Sequence, residues 1–216
     1  MTGSPGNGDD SAQRRQEKKV QSRRKILDAA REVFFRDGFM AANLDEVAQK
    51  AGVAKGTLYR YFDSKAELYV AVLAHNCEIF KQRMLETVSS DAAAADRIRH
   101  LSKFYFEHWI RNYDYFQIFW AIENQSVIGE LPPGVLEEVS KLWEECIEIV
   151  AGIVSEGVEN REFSECDAWE VANILWTVAN GLIQTEKSAT RKSLRRVSLE
   201  AAFDDAVELF LRGLAA

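Results

Sequence analysis

At 216 residues, 47% hydrophobic and 28% charged, the chain has the balance of a globular protein, with enough length for one large core or two smaller ones. No apolar run approaches the ~20 residues that a membrane-spanning helix needs, and residues 1–13 are rich in Gly, Ser and Asp where a secretory leader would be apolar. The net charge of −7 argues against nucleic acid only as an average: residues 11–65 hold 13 Lys/Arg against 7 Asp/Glu, a balance of +6, and residues 66–216 hold 14 against 25, a balance of −11. A partner feels the local sign, since screening sets in beyond about 8 Å at physiological salt. A basic module on an acidic body is compatible with DNA at one end; a solvated charged face is the alternative.

Three prolines and twelve glycines interrupt the chain, apolar residues recur with a period of 3.6, and strand-like alternation is missing. The prediction is an all-α protein of about nine helices. Residues 1–19 are expected to form a disordered, basic-ended tail. A first helix is expected over 20–36, because Ile26, Ala30, Val33 and Phe34 form one stripe and Gly38 can end it in the left-handed conformation. Its start carries Arg14, Arg15, Lys18, Lys19, Arg23, Arg24 and Lys25. Cations oppose the dipole near a helix N-terminus. The run therefore reads either as an arm that follows phosphates or enters a minor groove, or as a solvated tail.

Asn43 is placed to cap a short helix over 44–50, with Glu46 in capping-box spacing. Residues 51–54 make a turn, and a second short helix is expected over 55–62. Ser64 and Glu67 have capping-box spacing for a long helix over 64–90, carrying Leu68, Val72, His75, Ile79, Phe80 and Met84. Helices are then expected over 91–110 and, rich in aromatics, 113–127. Gly129 and Pro132-Pro133 separate these from a helix over 135–158. Asp167 and Glu170 have N-cap and N3 spacing for a helix over 168–189; a basic connector, 191–196, leads to a last helix over 199–211, stopped by Gly213.

The stretch from Leu44 to Lys65 meets the demands of a helix-turn-helix. Two short helices that cross closely need a small residue at the crossing, and Ala48 supplies it. The turn four residues later needs a left-handed backbone, which Gly52 adopts without a Cβ penalty. Leu44, Val47, Val53, Leu58 and Phe62 fit as buried anchors. The second helix then presents Lys55, Gly56, Thr57, Tyr59, Arg60 and Tyr61, slim or donor-rich residues suited to phosphates and base edges in a major groove about 12 Å wide.

The run LDEVAQKAGVAKGTLYRYFDSKAELYVAVL resembles the DNA-binding module of the TetR family of bacterial repressors, and RRKILDAAREVFFRDGF resembles that family's first helix. The resemblance covers about residues 20–75. It implies a DNA-binding domain over 20–66 and a helical effector-binding and dimerisation domain over 67–216. It also implies that Lys55 contacts a base or phosphate and that Gly56 lets the helix start approach DNA. Thr57, Tyr59, Tyr61 and Lys65 are implied to bond phosphates, Arg60 to read a base, and Asn43 to cap its helix while touching phosphate. Two residues depart from the pattern: Ala42 stands where threonine is common, and Ala54 where serine or proline caps the recognition helix. A missing cap costs about 1 kcal/mol.

Aromatic residues crowd the rest of the chain. By analogy with the family's small-molecule cavity, Phe80, Met84, Tyr105, His108, Trp109, Phe116, Trp120, Trp143 and Trp176 are the expected lining for a small apolar or aromatic effector, with ordinary core packing as the alternative. The broad apolar faces of the last two long helices, Val171, Ile174, Leu175, Val178 and Leu182 with Phe203, Val207, Phe210 and Leu214, are implied to pack against a second copy. Cys77, Cys146 and Cys166 lack paired spacing, and with His75, His100 and His108 they show no metal-ligand pattern, so neither a metal nor a cofactor is expected. Nor is there a nucleophile set or phosphate-cradling loop of an enzyme. The expectation is a cytoplasmic, homodimeric regulator that binds double-stranded DNA at a palindromic operator, a repressor released by a small hydrophobic effector, without a membrane partner; the alternative is a DNA-binding regulator with no effector.

Overall fold

The computed structural model describes residues 8–88, 91–113, 115–117 and 133–216. Among the described residues there are nine α-helices and one 3-10 turn, and the only extended pairing is an isolated antiparallel bridge between Phe163 and Ala215. The chain divides into two compact units, one holding the described residues up to His75 with 133–136, and the other the described residues among 76–117 and 137–216. None of these helices is long and apolar enough to cross a membrane.

In the first unit, α1 spans Gly8–Ala41. Residues 8–19 are therefore helical, which corrects the expected disordered tail. Between Gly8 and Gly38 the chain has no proline or glycine, and its Gln, Lys, Arg and Glu residues favour helix. Apolar periodicity misses this part because every side chain from Gln13 to Gln21 is exposed, leaving no buried stripe to detect. The basic run consequently lies beyond the first turn, outside the reach of the helix dipole. Gly38, at φ 73° and ψ 172°, bends the helix in a conformation that L side chains rarely adopt, and one more turn follows. Ile26, Ala30, Val33 and Phe34 are fully buried, and the Phe34 ring meets Tyr69 edge-on at 5.1 Å.

Helix α2, Leu44–Ala51, is capped by Asn43, whose Oδ1 accepts from the Asp45 N–H at 2.8 Å. The reciprocal half of the expected capping box is absent. Glu46 is taken instead by Arg36, whose two terminal nitrogens donate to its carboxylate at 2.8 and 2.7 Å. Gly52 ends α2 in the left-handed conformation (φ 69°, ψ 32°), and its N–H reaches the carbonyls of Ala48 and Gln49. Helix α3 is only Lys55–Leu58, shorter than the predicted 55–62. Ala54 gives no side-chain cap, and the Leu58 carbonyl accepts from both Tyr61 and Phe62 N–H groups, which curls the chain into turns so that Phe62 is buried before the next helix. Helix α4, Lys65–Thr87, opens on a reciprocal cap in which Ser64 Oγ accepts from the Glu67 N–H and the Glu67 carboxylate accepts from the Asp63 N–H.

In the second unit, the later turns of α4 are joined by α5 (Ala94–Arg111), α6 (Pro133–Glu159), α7 (Ala168–Gln184), the 3-10 turn Thr185–Lys187, α8 (Ala189–Leu194) and α9 (Leu199–Leu214). Asp167 caps α7 through the Glu170 N–H at 3.1 Å. The basic connector contains a short helix, α8, because Ser188 Oγ caps it at the Arg191 N–H. Gly213 does not stop the last helix, which runs to Leu214 before the chain pairs with Phe163. Helix α5 lacks a cap of its own, Ala93 standing at that position; the Glu162 carboxylate accepts from the Ala94 N–H at 2.8 Å instead. Arg99 grips Glu208 with two nitrogens, at 2.6 and 3.0 Å, tying α5 to α9. Most of the predicted aromatic helix over 113–127, including Trp120, lies outside the described residues.

Candidate nucleic-acid interface and effector cavity

The helix pair of the first unit is built from a buried layer and an exposed layer. Leu44, Val47, Ala48, Leu58 and Phe62 are buried, and Ala48 is 3% exposed, as a close helix crossing requires. Lys55, Gly56, Tyr59 and Arg60 are exposed, while Thr57 and Tyr61 are half-buried. No atom stands within 4 Å of where a Cβ on Gly56 would lie, so the start of α3 is open to a partner. Tyr59, at 43% exposure, is a large apolar surface with a hydroxyl tip, a poor investment for a folded monomer but well suited to a sugar-phosphate edge.

Charge pairing separates the cations of this unit. Lys55 Nζ lies 2.6 Å from Asp45 Oδ1, which raises its pKa, and both side chains are more than half exposed. Arg36 is held by Asp37 and Glu46, and Lys50 by Glu32 at 2.9 Å. Lys65 does not stand free: its ammonium donates to the Met40 carbonyl at 3.0 Å and sits 5.2 Å above the Phe39 ring, and partial burial lowers its pKa. Arg23 covers the Phe62 ring at 5.3 Å. Asn43 is exposed, but its Oδ1 is occupied as the α2 cap.

The second unit holds a partly open apolar cavity with about 40 Å³ of free volume, room for a few water-sized groups. Of the residues predicted to line an effector site, Met84, Tyr105 and Trp176 stand on its wall. Sequence reasoning missed the rest of the wall, which is aliphatic or small: Ile98, Leu101, Ser102, Ile147 and Ala172 among others. Leu175 and Phe203, predicted on a face between copies, also line it, and Val207 is buried within the protomer. Phe80, His108 and Trp109 form an aromatic cluster, with the Phe80 ring 4.6 Å from His108 and 5.4 Å from Trp109, and Phe116 packs on Trp109 at 5.5 Å. Trp143 meets Trp176 at 5.9 Å. Burial, with Arg83 and Arg111 nearby, pushes the His108 imidazole down to about 4, so it is neutral at pH 7.

One polar group stands out beside this cavity. The Tyr105 hydroxyl donates to Asn180 Oδ1 at 2.6 Å, and Asn180 is 2% exposed. Among the described residues the Asn180 Nδ2 has no hydrogen-bond partner. A buried amide donor without an acceptor costs about 1–3 kcal/mol, which a ligand oxygen would relieve. Cys77 and Cys146, the latter on the cavity wall, are free thiols pushed up to about 12 by burial and are therefore protonated. Among the described residues no group of three His, Cys, Asp or Glu side chains is placed to hold a metal.

Known proteins match this architecture along its length. The family model described as "Bacterial regulatory proteins, tetR family" matches residues 26–72, and that of the "QacR-like protein, C-terminal region" matches residues 96–216. The chain belongs to the TetR family. Like other TetR-family members it is a DNA-binding transcriptional regulator and not an enzyme. The fatty acid metabolism regulator protein of Bacillus subtilis is 26% identical over 145 residues, covering 65% of this chain and 70% of that protein. The transcriptional activator FasR of Mycolicibacterium smegmatis is 31% identical over 133 residues, which is 62% of this chain but only 58% of that protein. The crystal structure of FadR from Bacillus subtilis in complex with stearoyl-CoA superposes with a TM-score of 0.69 at 22% identity, covering 88% of this chain and 98% of that one. That likeness establishes the shared TetR fold.

Proposed function

We propose that the chain is a homodimeric repressor that leaves a palindromic operator when an apolar effector bearing a hydrogen-bond acceptor enters the cavity of the second unit. The observation that carries the reading is the buried Asn180 amide, whose Oδ1 holds the hydroxyl of Tyr105 on the mostly apolar wall and whose Nδ2 lacks an acceptor among the described residues. An acyl thioester fits this chemistry: its chain takes the apolar wall and its carbonyl accepts from Nδ2. The stearoyl-CoA held by the similarly folded FadR favours the same class. At about 40 Å³ the cavity is too small for such a chain, so binding has to move a wall. Met84 belongs to α4, a continuous helix whose first residue is Lys65, and displacement there is carried toward the DNA-binding residues. An effector acts only through different affinities for the two states.

The test is a thermal-shift titration paired with a gel shift. Stearoyl-CoA raises the melting temperature and releases the duplex, whereas coenzyme A alone does neither; at a hundred times Kd the stabilisation is about 2.7 kcal/mol. Asn180→Leu removes most of that response. Absence of any shift with acyl chains of every length tried would leave a DNA-binding regulator without an effector.

On the DNA side the reading assigns Lys55, Gly56, Thr57, Tyr59 and Tyr61 to the duplex, with Arg60 at the far end and Asn43 as a cap beside it. Lys65 acts as a strut through the Met40 carbonyl. One such segment covers too few base pairs for strong specificity, so two copies are required. Ile174 and Val178, one turn apart on α7, remain 45% and 42% exposed, and Leu209 on α9 is 68% exposed, which marks the face for a second copy. Ile174→Glu/Val178→Glu is expected to sediment at the protomer mass with an unchanged helical spectrum. If this variant stays dimeric, the face lies elsewhere. A DNA target of this kind places the action in the cytoplasm.

A further inference from the structure

The exposed turns of α1 and the turn after α3 form an open trough of about 410 Å³, lined by Arg15, Lys18, Lys19, Ser22, Arg60 and Tyr61. Four cations and no carboxylate line it. Among the described residues, no Asp or Glu pairs with Arg15, Lys18, Lys19 or Arg60, in contrast to Arg36, Lys50 and Lys55 in the same unit. Four cations facing one concavity repel each other, and long exposed side chains gain nothing by packing. The Ser22 and Tyr61 hydroxyls add two neutral donors to the same walls. Such a set suits an anion with several acceptor oxygens, repeated along a chain.

We infer that this trough seats the phosphodiester backbone of the duplex flanking the site read by α3, and that Arg60 clamps phosphate there and does not read a base. The inference rests on the DNA-binding reading of the helix pair and extends it. Lys55 and Arg60 stand at opposite ends of the segment that meets DNA, and Arg60 lies past Leu58, the last residue of α3, in the turn that faces the N-terminal part of α1. The family resemblance implies base reading for Arg60. Its neighbours in space are Arg15, Lys18 and Lys19, which carry charge but no planar pattern to match a base edge. The residues of α1 that apolar periodicity leaves without a role thus become half of a second contact.

The test uses the full chain, the duplex that it selects from a randomised pool, and an unrelated duplex of equal length. Arg15→Ala/Lys18→Ala/Lys19→Ala and, separately, Arg60→Ala are titrated against both from low to high salt. Each lost phosphate contact lowers the slope of log affinity against log salt by about 0.9. Because a two-fold dimer loses each contact twice, the triple variant is expected to lose about 5 from the slope and Arg60→Ala about 2, with both duplexes weakened by the same factor, so that preference for the selected duplex is unchanged. These side chains are exposed, and melting curves without DNA should match the wild type. Wild-type slope and affinity in the triple variant would overturn the trough, as would a relaxed preference at one base pair in Arg60→Ala, which marks a base reader. Saturable stabilisation by inorganic pyrophosphate, lost in the triple variant, would overturn the duplex as the occupant and favour a free phosphorylated ligand. A wild-type chain that binds no duplex would instead defeat the helix-turn-helix reading itself.

Discussion

Lys55→Ala lowers affinity for the selected duplex about a hundredfold, and Asp45→Asn raises it. A well-placed cation contact to phosphate or base is worth about tenfold per half-site, and a two-fold dimer loses it twice. The opposite sign expected for Asp45 follows from the geometry. In the free protein Lys55 Nζ lies 2.6 Å from Asp45 Oδ1, an exposed pair that contributes little to stability. Entry of a phosphate forces a choice. If Lys55 turns to the duplex, the Asp45 carboxylate is left beside an anion without its partner, so removing that charge favours the complex and frees the lysine in advance. Tyr59→Ala serves as a neutral comparison: it weakens binding without changing the salt slope, because no charge is lost. Gel-shift titration of the three variants at two salt concentrations measures all of this. Equal weakening by Lys55→Ala and Asp45→Asn would mean that the pair serves the fold of the helix-turn-helix and that neither residue meets DNA.

How much of this was legible in the sequence differs from one part to another, for physical reasons. The helix-turn-helix could be read because its constraints are local: Ala48 at the crossing, Gly52 at φ 69° and the Asn43 cap all act within a few residues. Long-range partners could not be read. Glu46 has capping-box spacing but is captured by Arg36 from another helix, and Lys65 is drawn to the Met40 carbonyl. The N-terminal turns of α1 escaped because a helix exposed on every side carries no apolar period. Periodicity also shows that a face is apolar without telling what covers it. Leu175 and Phe203 therefore read the same as Ile174 and Val178, although the first two face the interior cavity and the last two face outward. Aromatic density was a poor guide to the cavity for a related reason. Rings such as Phe80 and Trp109 fill space against one another, and the free volume lies where smaller residues, Ser102 and Ala172, leave it.

Gly157→Ala lowers the melting temperature by about 6–12 °C, although alanine is the better helix former by about 1 kcal/mol. Gly157 lies in α6, buried against the chain end that follows it. A Cβ there would stand 2.6 Å from Phe163 Cε2 and 2.9 Å from the Ala94 Cβ, and closer still to Phe163 Cδ2. The Phe163 ring has little room to yield. Its own N–H donates to the Gly157 carbonyl at 3.1 Å, the next N–H donates to the Leu214 carbonyl at 2.8 Å, and the ring is 4% exposed. Ala94 is fixed from the other side by the Glu162 carboxylate that caps α5. Overpacking such a point costs about 3 kcal/mol. Phe163→Ala alone is also destabilising, since it empties a buried site. In that background the added methyl group fills space, and Gly157→Ala becomes neutral or stabilising, a reversal that thermal melts of the single and double variants detect. An unchanged or higher melting temperature in the wild-type background would show that the ring moves freely. The consequence for function follows from what this junction holds: α5 and α6 supply Ile98, Leu101 and Ile147 to the cavity wall, so a shift at Gly157 alters the cavity even though no ligand touches the glycine.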